Sequence, residues 1–141
     1  MSELWLLRHT EPLEAGKYIG RGSDPSLSPT GEIEARRIAD ILARGEKLPE
    51  IICSSSQVRA RQTAEPLAGL LNLRTEIREG FCEIDFGEWE GLTWKEIEEQ
   101  DGELWHAWLD NPYKLSPPGG ETLEDLRDRV ICEVKGILEE H

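Results

Sequence analysis

Three stretches carry residue types able to work on an anionic group. Leu4-Trp5-Leu6-Leu7 runs straight into Arg8 and His9, and Pro12 breaks the chain soon after. An unbroken apolar run without helical period predicts a strand buried on both faces. Arg8 and His9 then lie at its carboxyl end, where open α/β sheets bind ligands. An imidazole beside a fixed positive charge suits attack on, or binding of, an anion. On its own the pair reads first as a solvated arginine and a structural histidine. Ser54-Ser55-Ser56-Gln57-Val58-Arg59 adds a second element. Its serines can cap a helix whose free N–H groups attract anions, and Arg59 in the first turn offers a planar fork that matches phosphate oxygens. The third stretch, Gly80 to Gly91, mixes acids, aromatics and glycine. A carboxylate among aromatics can be desolvated into a proton donor. Glu83 is the candidate, with Asp85 and Glu88 as competitors, and an acidic surface turn is the plain alternative.

The elements that must position these groups follow from periodicity. Glu14 to Leu27 is a glycine-rich loop beside the first strand end, and Tyr18 and Arg21 are its side chains most able to reach a ligand. Ser28 and Pro29 start a helix with Ala35, Ile38, Ala39 and Leu42 on one stripe and Gly45 as its stop. Glu50 to Cys53 is a second strand, which closes a βαβ unit with the first. The helix after the serines is broken or kinked at Pro66, with Leu67, Leu70 and Leu71 continuing an apolar face, and Leu73 to Arg78 is a weak third strand near a sheet edge. Thr93 with Glu96 has capping-box spacing and opens a helix bearing Leu104, Trp105, Trp108 and Leu109. A last helix begins after Glu121-Thr122, with Leu123, Leu126, Val130, Val134, Ile137 and Leu138 on one stripe.

Composition narrows the function classes. The 141 residues suit one domain. A formal net charge of −13 disfavours nucleic acid and anionic membranes as partners, and it makes any local arginine cluster informative. No apolar run is long enough to span a membrane. Cys53, Cys82 and Cys132 show no zinc or disulfide spacing. The reading is a soluble cytoplasmic protein.

In this order the stretches resemble the histidine phosphatase superfamily, with its phosphoglycerate mutase-like fold. Arg8-His9-Thr10-Glu11 is similar to the Arg-His-Gly-Glu signature, with Thr10 replacing the usual glycine. Ser54-Ser55, Arg59-Ala60 and Gln62-Thr63-Ala64 resemble the second block. Glu83 with Phe86-Gly87-Glu88-Trp89-Glu90-Gly91 resembles the block carrying the acid, and Pro118-Gly119-Gly120-Glu121 the loop before the last long helix. Four blocks in order make a strong signal. The resemblance implies a three-layer α/β/α sandwich around a mostly parallel sheet, as one domain over 1–141 with a helical lid-like insertion at about 92–120. It implies His9 as nucleophile, Glu83 as proton donor and acceptor, and Arg8 and Arg59 on the phosphoryl oxygens. No cofactor and no metal are implied. The expected partner is a small phosphorylated metabolite or inorganic phosphate. Lys17-Tyr18-Ile19-Gly20-Arg21 looks like the loop of the α-ribazole phosphatase branch, linked to cobalamin biosynthesis, with Arg21 on the substrate.

One departure stands out. The family's second histidine follows the last long helix, in a stretch with no counterpart here; His106 and His141 lie in the wrong places to inherit its role. The expectation is a C-terminally truncated form or a fragment, with domain exchange in a homodimer as the alternative. An enzyme is therefore weighed against a non-catalytic phosphate-binding remnant. A phosphoglycerate mutase ranks lower, since that branch usually carries longer insertions, and so does a regulatory phosphohistidine phosphatase.

Overall fold

The computed structural model describes residues 3–141. Ser28 caps the first helix, α1 (Pro29–Leu42): its side chain accepts from the Gly31 N–H, and Pro29 fills the first turn, where a missing N–H costs nothing. Ala35 and Ala39 point inward from α1 and are buried. Two short strands, β1 (Ile52–Ser54) and β2 (Thr75–Ile77), pair in parallel, with Ile52 opposite Thr75 and Ser54 opposite Ile77. Helix α2 (Val58–Leu71) joins them and packs on α1 and on both strands. The βαβ unit of the structure is thus β1-α2-β2, one step later in the chain than the unit expected from the first strand.

Leu4 to Leu7 forms no strand. Leu4, Trp5, Leu6 and Leu7 are 56%, 42%, 86% and 51% exposed, so the expected double-sided burial is absent. A strand buried on both faces needs backbone partners at its edges and a layer over each face. The run finds neither among the described residues.

Helix α2 departs from expectation at its start. Gln57, not a serine, is its N-cap, and no side chain of that residue caps it. Asp24 from the preceding loop reaches across instead, its Oδ1 accepting from the Val58 N–H at 2.7 Å. Pro66 does not end the helix, which runs on to Leu71 and closes on Asn72 in the left-handed conformation.

Two further helices follow a pair of short 3-10 turns, Glu79–Phe81 and Gly87–Trp89. Both helices, α3 (Trp94–Asp110) and α4 (Leu123–Glu140), open with complete capping boxes, Thr93 with Glu96 and Thr122 with Asp125. The inner face of α3 builds an aromatic core. Trp89, Ile97 and Trp105 are buried there, with Tyr18, Phe86, Leu92, Leu104 and Trp108 packed around them. Trp105 stacks on Trp108 with centroids 5.6 Å apart, and most other contacts are edge-to-face.

Helix α4 does not sink its apolar stripe into a core. None of its residues is buried. It docks instead through polar side chains: the Arg129 guanidinium donates to the carbonyls of Gly80, Cys82 and Glu83, and Glu133 accepts from the Gly80 N–H. Among the described residues no helix is long and apolar enough to cross a membrane.

Candidate active site

Arg8, His9, Arg59 and Glu83 line one cavity of about 370 Å³, together with Pro12, Glu14, Lys17, Tyr18, Ile19 and Phe86. That volume suits a small metabolite. The four side chains that sequence reasoning drew from three separate stretches are therefore brought together. Arg21 is not. It is exposed and absent from the cavity wall, and only its backbone is engaged, its N–H donating to the Ile84 carbonyl at 2.9 Å. The chain bends at Arg21 and Gly22.

Local bonding fixes the chemistry of His9. Its Nδ1 lies 2.8 Å from the Thr10 carbonyl oxygen. A carbonyl only accepts, so Nδ1 carries the proton and Nε2 keeps the lone pair. Thr10 is itself anchored, which gives its side chain a role that glycine could not fill. Its hydroxyl donates to the Gly31 carbonyl at 2.8 Å, and its N–H donates to the Thr63 hydroxyl at 3.2 Å. Thr63 in turn donates to the Arg59 carbonyl at 2.8 Å. The residue after the histidine is thus wired to the helix that bears the arginine. Gly31 is required for this approach, because a Cβ there would lie 2.2 Å from the Glu11 carbonyl oxygen.

Arg59 is only 2% exposed. Its Nη1 donates to the Ser23 carbonyl at 3.1 Å, and its Nη2 reaches the Gly20 and Ile19 carbonyls at 3.3 and 3.4 Å. A guanidinium has five N–H groups, so two remain for an anion in the cavity. The side chain both holds the 19–23 loop and presents charge. Arg8, by contrast, is exposed. At the rim Lys17 pairs with Glu14 at 3.2 Å.

Glu83 is held through its backbone from two sides. Its N–H donates to Gln57 Oε1 at 2.8 Å, and its carbonyl accepts from Arg129 Nη2 at 2.9 Å. Its carboxylate takes the Ile84 N–H at 2.9 Å. Asp85 and Glu88, the competing acids, do not line the cavity; the Asp85 carboxylate accepts from the Gly87 N–H. Tyr18 presents an aromatic wall with Phe86, their rings 5.0 Å apart edge to face, and burial raises its phenol pKa. His106 and His141 are both exposed and lie outside the cavity. His106 bonds the Gly102 carbonyl one turn back, and His141 lies 3.7 Å from Glu76.

Sequence reasoning missed Gln57, Glu90, Asp24 and Arg129. Glu90 accepts from the Gly20, Gly22 and Phe86 N–H groups. Such side-chain-to-backbone bonds leave no periodic trace. Arg129 alone gave a signal, as a charge on the flank of the α4 stripe.

Comparisons with known proteins bear on the family and the fold. The family described as histidine phosphatase superfamily (branch 1) matches residues 4–141. A phosphoserine phosphatase 1 of Hydrogenobacter thermophilus is 37% identical over 142 residues, 99% of this chain and 64% of its own. An adenosylcobalamin/alpha-ribazole phosphatase of Salmonella typhimurium is 30% identical over 129 residues, 90% of this chain and 62% of its own. The complex of a mycobacterial glucosyl-3-phosphoglycerate phosphatase with inorganic phosphate superposes with a TM-score of 0.82 at 27% identity, covering 93% of this chain and 60% of that one. The chain therefore spans less than two thirds of these proteins, and 39% of a longer bifunctional relative from Mycobacterium tuberculosis.

Proposed function

The chain belongs to branch 1 of the histidine phosphatase superfamily and has its phosphoglycerate mutase-like α/β fold, and from that premise we propose that it hydrolyses a small phosphomonoester through a phosphohistidine at His9. The observation that carries the reading is the 2.8 Å contact of His9 Nδ1 with the Thr10 carbonyl, which in a neutral ring leaves the Nε2 lone pair free, in a cavity shared with two guanidinium groups and a carboxyl.

In the first displacement the Nε2 lone pair forms the N–P bond, and the ester P–O bond breaks. Arg8 and the two uncommitted N–H groups of Arg59 match the charge on the equatorial oxygens. Glu83, protonated, gives its proton to the leaving oxygen and becomes a carboxylate. In the second, that carboxylate takes a proton from water as the water oxygen attacks phosphorus. The N–P bond breaks, and neutral His9 and phosphate are released. The Tyr18 and Phe86 wall receives the leaving alcohol, and α3 behind it acts as a lid.

The relatives supply the substrates to try: phosphoserine, α-ribazole 5′-phosphate and glucosyl-3-phosphoglycerate. Similarity of the 17–21 loop favours the second. His9→Ala is expected to lower turnover of the best of them by at least about 10³-fold, as losses of a covalent nucleophile do. Wild-type turnover that survives His9→Ala refutes the reading. A second reading, a phosphate-binding protein without turnover, has one observation in its favour: neither His106 nor His141 lines the cavity. Under it, inorganic phosphate raises the melting temperature while no ester is hydrolysed.

A further inference from the structure

The side-chain amide of Gln57 joins two segments that the reaction needs in register. Gln57 is 6% exposed and does not line the cavity. Its Oε1 accepts from the Glu83 N–H at 2.8 Å, and its Nε2 donates to the Gly20 carbonyl at 2.9 Å. The same carbonyl accepts from Arg59, and the Gly20 N–H donates to Glu90. Backbone meets backbone here. A Cβ on Gly20 would lie 2.2 Å from the Ile84 carbonyl oxygen, and the Arg21 N–H bonds that oxygen. The Gly20 peptide is therefore a junction between the arginine, the loop and the segment carrying the acid.

We propose that Gln57 is a positioning residue that sets the Glu83 carboxyl against the Arg59-held loop by clamping the Glu83 N–H to the Gly20 carbonyl. The proposal rests on the phosphohistidine reading for its kinetic consequence, but not for its structural one. An amide is the side chain suited to the task, since one end must accept from an N–H and the other must donate to a carbonyl. Leucine offers neither. Glutamate offers an acceptor to both, so its carboxylate faces the Gly20 oxygen with like charge. Once protonated it can donate there, and the clamp is restored.

The test uses Gln57→Leu and Gln57→Glu of the full chain with two readouts. The first is amide hydrogen exchange at the Glu83 N–H. It is expected to speed at least 10-fold, roughly the loss of one buried hydrogen bond, in Gln57→Leu at every pH. In Gln57→Glu, whose carboxylate still accepts from the Glu83 N–H, exchange there should stay near wild type, and the lost Gly20 end is read by the second readout. Unchanged exchange in Gln57→Leu overturns the proposal whether or not the chain turns over.

The second readout is kcat/KM for an alkyl phosphate, whose departure needs a proton, against 4-nitrophenyl phosphate, whose departure does not. A misplaced acid should cut the alkyl substrate by about 10- to 100-fold, within the range that positioned proton transfer contributes, and the aryl substrate by only a few fold. In Gln57→Glu the alkyl-to-aryl ratio recovers on acidification, and in Gln57→Leu it does not. Equal losses on both substrates would mean simple loosening of the fold and overturn the positioning role. Absence of wild-type turnover would instead overturn the phosphohistidine reading and leave the exchange result to decide the clamp.

Discussion

Replacing Arg59 by methionine separates its two duties. Methionine keeps the apolar stem and removes the guanidinium, along with one hydrogen bond of ordinary length and two long ones. The Gly20 carbonyl retains Gln57 as a donor, so its loss is partial. The Ser23 and Ile19 carbonyls lose the guanidinium donor. Taking about 1.5–3 kcal/mol for the shorter bond to a charged donor, and less for the long pair, the variant should lose about 3 kcal/mol. At about 3 °C per kcal/mol for a chain of this size, the melting temperature should drop by about 10 °C. The assay is thermal unfolding with and without inorganic phosphate. In wild type, phosphate at 100 times its Kd should add about 2.7 kcal/mol. In Arg59→Met both the baseline and most of that increment should fall. An unchanged melting temperature in buffer refutes the loop-anchoring role. A full phosphate increment on a lowered baseline refutes the anion-binding role alone.

Two other outcomes test the frame around the cavity. Trp89→Ala removes a fully buried ring that also donates to Asp101 at 2.9 Å. It should cost about 3–5 kcal/mol in urea unfolding and collapse the near-UV aromatic signal; a loss under about 1 kcal/mol would mean the cluster is not a packed core. Thr122→Ala tests an acid-side effect. Hydrogen bonds from the Thr122 hydroxyl and then its backbone N–H lower the Asp125 pKa from 3.8. A carboxyl with a depressed folded pKa contributes stability that is complete above its unfolded value and is lost as pH falls through the folded one. The gap in urea midpoint between wild type and Thr122→Ala should thus be wide at pH 5 and narrower at pH 2.5. A gap independent of pH would sever the carboxyl from the cap.

The parts of the fold visible in the sequence are those governed by local rules. Ser28-Pro29 and Thr93 with Glu96 marked helix starts because a cap needs specific atoms within three residues. His9, Arg59 and Glu83 could be grouped because their blocks, in order, resemble one family's site, while the residues alone left Asp85 and Glu88 as rivals of Glu83. What escaped was set by partners far along the chain. Leu4 to Leu7 has strand composition, but pairing is a property of two segments, and composition reports one. Arg21 was read as a ligand contact from its loop, yet that loop is held by Glu90 seventy residues on, and Arg21 lies exposed outside the cavity. Asp24 displaced the serines at the start of α2 for the same reason: a long-range carboxylate met the helix end that a local hydroxyl was expected to cap.

That the run from Leu4 to Leu7 is unpaired has a consequence for the imidazole. Thr10 ties the backbone just after His9 to α1 and α2, whereas Leu4 to Arg8 make no hydrogen bond to another segment among the described residues. On the amino side the nearest anchor is the ion pair of Glu3 with Lys47, at 2.7 Å. Each backbone residue that becomes ordered gives up about 1–2 kcal/mol of conformational freedom, so anything that immobilises this run must overcome several times that amount. In doing so it would fix the backbone on the amino side of His9, as the Thr10 bonds fix it on the carboxyl side.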